Sequence, residues 1–211
     1  ISLYPSLIIN LLLIDFSLKF LHDKKKKITR VKSSHSKTGY YYNLERSNRY
    51  IFGGFDGLGK KLFEKYQLNE VSIKEKDIVI EIGCNIGELT SYISRFKPFI
   101  YAFDIENKVL DCLRLNCKYY KKIKIQKMAI WKKSGTINFE SKLNEASSSL
   151  LISNKNKNKN KSNIHQVKAI TLNNLLHRNK IDKVKLIKVE AEGGEPEILQ
   201  GALKILNKVE Y

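Results

Sequence analysis

Two acids separated by one residue, Glu190 and Glu192, follow the mostly apolar run Val184-Lys185-Leu186-Ile187-Lys188-Val189. Carboxylates at the end of a strand could take a proton from a weak nucleophile, and two so close are expected to raise one another's pKa. Earlier in the chain, Ile78-Val79-Ile80-Glu81-Ile82 ends in Gly83-Cys84-Asn85-Ile86-Gly87. Glycines there allow positive φ and let a ligand lie against the backbone, and N–H groups at the start of a following helix attract a negative group. A third apolar run, Phe99-Ile100-Tyr101-Ala102-Phe103, ends in Asp104. That acid stands about 20 residues after Gly83, the interval at which a dinucleotide fold presents an acid to ribose hydroxyls.

The turn is not the Gly-x-Gly-x-x-Gly of NAD enzymes, because Asn85 occupies the middle-glycine position and the next glycine is Gly87. Nor does it carry the Gly-Lys-Ser or Gly-Lys-Thr of a phosphate-binding loop. Together with Glu81 and Asp104 it suits a nucleoside bearing a charged amino-acid tail rather than a pyrophosphate, and S-adenosylmethionine (SAM) is such a ligand. Asp104 would meet the ribose hydroxyls, the N–H groups near Gly83 and Gly87 the carboxylate, and acceptors are needed for the ammonium. Cys84 reads as a small residue in a tight turn, since no histidine lies near it to activate a nucleophile.

The elements that position these residues are short. Ile78-Val79-Ile80, β-branched and nearly continuous, predicts a central parallel strand covered on both faces. Leu89, Ile93 and Phe96, and then Val109, Leu110, Leu113 and Cys117, fall at helical spacing. Further strands are expected over residues 123–131, 135–139, 167–170 and 184–189, with short helices over 58–68 and 172–176. Pro196 opens a helix bearing Ile198, Leu199, Ala202, Ile205 and Leu206. Residues 209–211 should begin another strand, so the C-terminal edge of the sheet is expected to be incomplete. The first residue, Ile1, suggests a fragment or a processed form.

A chain of 211 residues is long enough for one α/β core. Lys and Arg total 39 against 21 Asp and Glu, a formal net charge of +18, which raises nucleic acid or anionic lipid as partners. Lysine and asparagine are abundant throughout, so nucleic acid is not favoured as the reason for the charge. Three cysteines and four scattered histidines have no zinc-site spacing, which argues against a structural metal and for a reducing cytoplasm. Leu7, Leu11, Ile14, Leu18 and Leu21 make an apolar helical stripe ahead of Lys24-Lys25-Lys26-Lys27. Two readings stay open: a helix packed on the domain or a partner, and an interfacial helix through which residues 1–27 touch anionic lipid at the membrane periphery. Residues 28–50 read as a polar, basic linker, giving a division into 1–50 and 51–211. The repeated Asn-Lys pairs of residues 154–161 have little to bury and are expected to be a mobile loop.

From about residue 51 onward, an ordered set of motifs resembles the FkbM family of SAM-dependent methyltransferases. The set comprises Val79-Ile80-Glu81-Ile82-Gly83-Cys84-Asn85-Ile86-Gly87, Ala102-Phe103-Asp104, Ala129 with Gly135, Ser147-Ser148-Ser149-Leu150, Val167-Lys168-Ala169-Ile170-Thr171-Leu172 and Leu186-Ile187-Lys188-Val189-Glu190-Ala191-Glu192-Gly193-Gly194-Glu195. The resemblance implies a class I methyltransferase fold: a Rossmann-like, mostly parallel sheet flanked by helices. The first 50 residues lie outside the resemblance, and their apolar stripe is expected to add an N-terminal helical extension. The resemblance also implies that Gly83, Asn85 and Gly87 line the cofactor, that Asp104 holds ribose, and that Met128 and Ala129 lie beside adenine. The chain departs from the family's pattern where Glu190 replaces the usual Asp, Asp104 the usual Glu, and Asn173 a common acid. The first two keep charge and change reach, and the third removes a charge.

Family members typically methylate hydroxyls of sugars or other natural products, so the expected function is O-methylation of a glycan or other small-molecule acceptor. Glu190 and Glu192 are the candidate bases. The alternatives are an RNA methyltransferase and a non-catalytic SAM-binding protein.

Overall fold

Continuous β-branched runs become strands in the computed structural model, which describes residues 17–34, 36–42, 44–141 and 164–211, while of the helices expected to run through Phe96 and Leu206 the α-helical parts end at Ile93 and Gln200 and 3-10 turns carry the remainder. Strands β1 (Lys19–Asp23), β2 (Ile28–Lys32) and β3 (Gly39–Tyr41) form an antiparallel N-terminal sheet. A 3-10 turn (Leu44–Tyr50) and helix α1 (Gly54–Lys65) follow. Then β4 (Ile78–Ile82), α2 (Glu88–Ile93), β5 (Phe99–Asp104), α3 (Asn107–Cys117) and β6 (Ile123–Lys127) alternate. Strands β7 (Ala129–Ile130), β8 (Gly135–Glu140) and β9 (Ile164–Ile170) make a small mixed sheet in the order β7-β9-β8. Helix α4 (Leu172–Arg178), β10 (Leu186–Val189), α5 (Glu195–Gln200) and a 3-10 helix (Leu203–Lys208) follow, and shorter 3-10 turns lie at Leu68–Glu70 and Ser94–Phe96.

The central sheet is parallel, in the order β10-β4-β5-β6. The strand order reverses between β4 and β10, and a crevice for a ligand opens at the carboxyl ends of strands on either side of such a switch. Val79 and Ile80 of β4 are fully buried on opposite faces. One face packs on Phe63, Leu89, Ile93, Leu110 and Leu113, the other on Phe103, Ile130, Leu172, Leu176 and Ile198. Two covered faces are the reason the run is apolar without alternation.

The N-terminal segment departs from expectation. Lys19–Asp23, the described end of the predicted apolar helix, is a strand, and the predicted linker supplies β2, β3 and a 3-10 turn. The cause is a period of two hidden among basic residues: Thr29 and Val31 turn inward while Lys32 is exposed. Val31, Tyr41 and Tyr50 then share an apolar cluster with Phe55, Leu58 and Ile86. Asn116 on α3, 4% exposed, fastens this sheet to the rest. Its Oδ1 accepts from Tyr40 N–H at 2.7 Å, and its Nδ2 donates to Tyr40 O at 2.9 Å and Ile86 O at 2.7 Å.

The predicted strand over 123–131 breaks at Met128, whose N–H bonds Asp104 O at 3.2 Å, and β7 passes to the smaller sheet. Residues 209–211 do pair beside β10, with Tyr211 N–H donating to Lys185 O and Tyr211 O accepting from Ile187 N–H. Leu7, Leu11 and Ile14, the serine run 147–149 and the loop 154–161 lie outside the described residues. Among the described residues no helix is long and apolar enough to cross a membrane.

Replacing Asn116 by Ala leaves the buried Ile86 carbonyl and the partly buried backbone groups of Tyr40 without their partner, and the expected cost is about 2–3 kcal/mol. Urea denaturation of the two proteins measures it, and hydrogen exchange should quicken first in β3.

Candidate active site

The turn after β4 is built by close approach. Gly83 has φ +71°, and a Cβ there would overlap the carbonyl oxygen of Glu190, the residue that follows β10. Gly87, at φ +89°, seats the far end of the turn on Leu113 of α3, where a Cβ would also overlap. The N–H groups of Gly83 and Cys84 donate to Phe103 O at 3.0 and 3.1 Å, and that of Gly87 to Cys84 O at 3.0 Å. The Asn85 N–H donates to Asp104 Oδ2 at 3.0 Å, with Asn85 at φ +49°. These N–H groups, expected to receive a carboxylate, are therefore committed to the protein itself. Cys84 Sγ donates to Phe103 O, and burial first, then the charges of Asp104 and Glu81, push its thiol pKa up, so it is no nucleophile.

A cavity of about 330 Å³ lies over the carboxyl ends of β4, β5 and β10. Glu81, Gly83, Asn85, Asp104, Met128, Ala129, Glu190 and Glu192 all line it, so eight of the residues singled out in the sequence come together. Gly87 does not line it; its part is to pack the turn. Arg49, Tyr66, Glu88 and Lys188 also line it, and none of them is a candidate site residue in the sequence reading. For Lys188 a signal existed: a charged residue inside an apolar strand, two positions before Glu190 and so on the same face.

Asp104 Oδ1 accepts from the Ile105 and Glu106 N–H groups at 2.8 and 3.2 Å. Burial pushes its carboxyl up to about 6 against the pull of these two backbone donors and that of Asn85. An ionised oxygen accepts two hydrogen bonds, so Oδ2, with one from Asn85, keeps capacity for a ribose hydroxyl. Glu81 is 1% exposed and takes a 2.6 Å bond from Thr90 Oγ1. Burial pushes it up to about 7, with the Lys188 charge and the Thr90 bond opposing.

Lys188, itself buried, donates to Gly83 O at 2.9 Å and Glu190 Oε2 at 3.0 Å, and Tyr66 OH donates to the same Glu190 oxygen at 2.7 Å. Partial burial raises the Glu190 pKa, but the Lys188 charge and these two bonds outweigh it and hold the group below the usual carboxylate range. The mutual raising expected of Glu190 and Glu192 thus does not govern Glu190, because a lysine stands beside it with opposite charge. Glu192 is exposed, at φ +49° in the turn before α5. Glu195 closes that turn by accepting from Ala191 N–H at 2.7 Å and Gly193 N–H at 2.9 Å.

The family described as "Methyltransferase FkbM domain" matches residues 57–211, most of the chain. The chain belongs to the FkbM methyltransferase family. Its four parallel strands in the order β6-β5-β4-β10, flanked by helices, are of the class I, Rossmann-like fold. SAM is the cofactor of the family. The cavity fits it: Asp104 can meet a ribose, Phe103, Met128 and Ile130 offer an apolar wall, and Glu81 and Glu88 offer negative charge to a cationic ligand.

Solved structures similar to parts of the chain include a SAM-dependent methyltransferase from Aquifex aeolicus, 22% identical over 36% of this chain and 47% of that one, with TM-score 0.29. Another is fibrillarin from Aeropyrum pernix with natively bound SAM, 13% identical over 51% and 55%, with TM-score 0.29. A third is a SAM-dependent methyltransferase from Agrobacterium tumefaciens, 10% identical over 59% and 42%, with TM-score 0.31. The chain spans 42% to 55% of the length of these three structures. A search among curated proteins finds no match.

With its pKa at about 7, Glu81 is partly protonated at neutral pH, and a cation bound beside it favours the ionised form. SAM binding is therefore expected to release protons at pH 7 and few at pH 9. Calorimetry in buffers of different ionisation heat reads the release, which should shrink in Glu81→Gln. Without ligand, the raised pKa means that the stability contributed by protonated Glu81 is full below the ordinary value of 4.5 and lost as pH rises through about 7. Glu81→Gln should accordingly gain melting temperature over the parent at pH 8 and not at pH 4.

Proposed function

We propose that this chain transfers a methyl group from SAM to a hydroxyl oxygen of a sugar, glycoconjugate or other natural product, with Glu190 and Glu192 facing the acceptor. The observation that supports this most is the juxtaposition of Glu190 with Gly83, which sets the acid after β10 against the cofactor turn after β4. When bound, SAM supplies an electrophilic methyl on a sulfonium that leaves as a neutral thioether. The protein's share is then to align the acceptor oxygen, exclude water and receive the hydroxyl proton.

Glu190, held ionised by Lys188 and Tyr66, is a weak base and a well-fixed hydrogen-bond acceptor. Its part in this reading is to orient the hydroxyl. Glu192, exposed at the rim, is the carboxylate to take up the proton. Cys84, Cys112 and Cys117, all free and buried, fit a reducing compartment such as the cytoplasm. RNA is the second acceptor class: the net charge of +18 suits a polyanion, but the lysines that carry it are spread along the chain and no RNA-binding module accompanies them.

Transfer of labelled methyl from SAM to a panel of glycans and to RNA separates the two acceptors. Glu192→Gln is expected to lower turnover by about a hundredfold or more, the usual worth of a general base, and Glu190→Gln, made separately, to lower it by the smaller factor of one lost orienting hydrogen bond, about tenfold, while SAM affinity stays within about threefold in both. Unchanged turnover in both would remove these residues from the chemistry.

A further inference from the structure

The carboxylate of the cofactor's amino-acid tail needs a positive partner, and the glycine turn does not provide one. Its N–H groups at Gly83, Cys84, Asn85 and Gly87 already donate to Phe103 O, Asp104 and Cys84 O. The next residue, Glu88, is 2% exposed, lines the cavity and would repel an anion. Among the described residues, the cations lining the cavity are Arg49, Lys65 and Lys188. Lys188 is engaged by Gly83 O and Glu190. Lys65 is exposed, with its ammonium 5.2 Å from the Tyr66 ring centroid.

Arg49 differs from both. Its side chain is 26% exposed, and Nη1 stands 3.8 Å from Glu88 Oε1, an ion pair too long for a hydrogen bond. The backbone that carries it is anchored by Tyr50, which is 1% exposed, rests against Tyr41 and Phe55, and directs its hydroxyl to Glu88 Oε1 at 3.4 Å. Arg49 and Glu88 thus present opposite charges side by side at the cavity wall, the pattern complementary to an amino acid's carboxylate and ammonium. A guanidinium fork matches a carboxylate in two parallel bonds.

We propose that Arg49 holds the carboxylate, and Glu88 the ammonium, of the methionyl tail of SAM. The segment ahead of the family match at residues 57–211 then completes the cofactor site. The proposal rests on SAM as cofactor and is independent of the acceptor.

Calorimetric titration with S-adenosylhomocysteine, which carries the tail, and with 5′-methylthioadenosine, which lacks it, tests this. Arg49→Ala is expected to weaken S-adenosylhomocysteine by about ten- to a hundredfold, the range of a charge-assisted hydrogen bond, and to leave methylthioadenosine within about twofold. Arg49→Lys, which keeps the charge beside Glu88 and loses the fork, should fall between Arg49→Ala and the parent. If Arg49→Ala does not melt cooperatively, the same two titrations on Arg49→Lys decide between the outcomes. Equal weakening of both ligands, no weakening of either, or a tail-selective loss in Lys65→Ala instead would overturn the assignment. A parent protein that binds neither ligand overturns SAM itself, and with it the assignment.

Discussion

The contact on which the rest depends is between the backbone at Gly83 and the backbone at Glu190, where only a residue without a Cβ fits. It occurs where the order of the parallel sheet reverses, between β4 and β10. Because the two turns touch, the start of the glycine turn and the start of the acidic turn share one small volume. Lys188 spans the joint, one hydrogen bond to the Gly83 carbonyl and one to the Glu190 carboxylate. A buried ammonium is costly unless paired, and the acids around it supply the pairing. Glu81 and Glu190 in turn owe much of their ionised character to that lysine.

Charge is sorted by place. A chain with a net charge of +18 keeps Glu81, Glu88, Asp104, Glu106, Glu190 and Glu192 together at its cavity. Burial alone would neutralise such a cluster near pH 7, as Glu81 and Asp104 partly show. A cationic ligand offsets that tendency, so occupancy of the cavity and ionisation of its floor are coupled.

The N-terminal sheet belongs to this arrangement rather than standing apart from it. Lys37 reaches across to the Ser91 hydroxyl, the Asn116 carbonyl and Tyr120, with its ammonium between the rings of Phe55 and Tyr120. Asn116 holds β3 and, through Ile86 O, the glycine turn at once. Order in the N-terminal sheet and order in the turn are therefore linked by one side chain.

The sequence by itself determined the central strands, the glycine turn and the acids that end up at one cavity, because apolar continuity, glycine spacing and strand-end acids are local signals. It also carried enough ordered motifs to indicate the family. Tertiary structure alone decided three things. The predicted linker became β2 and β3, because Val31 and Tyr41 find Phe55 and Leu58, partners distant in sequence. The N–H groups of the turn proved committed to Phe103 and Asp104 of the neighbouring strand, which no spacing rule reveals. And the character of Glu190 was set by Lys188 and Tyr66, the latter on a segment far earlier in the chain, because a pKa depends on which charges and donors the fold brings within a few ångströms.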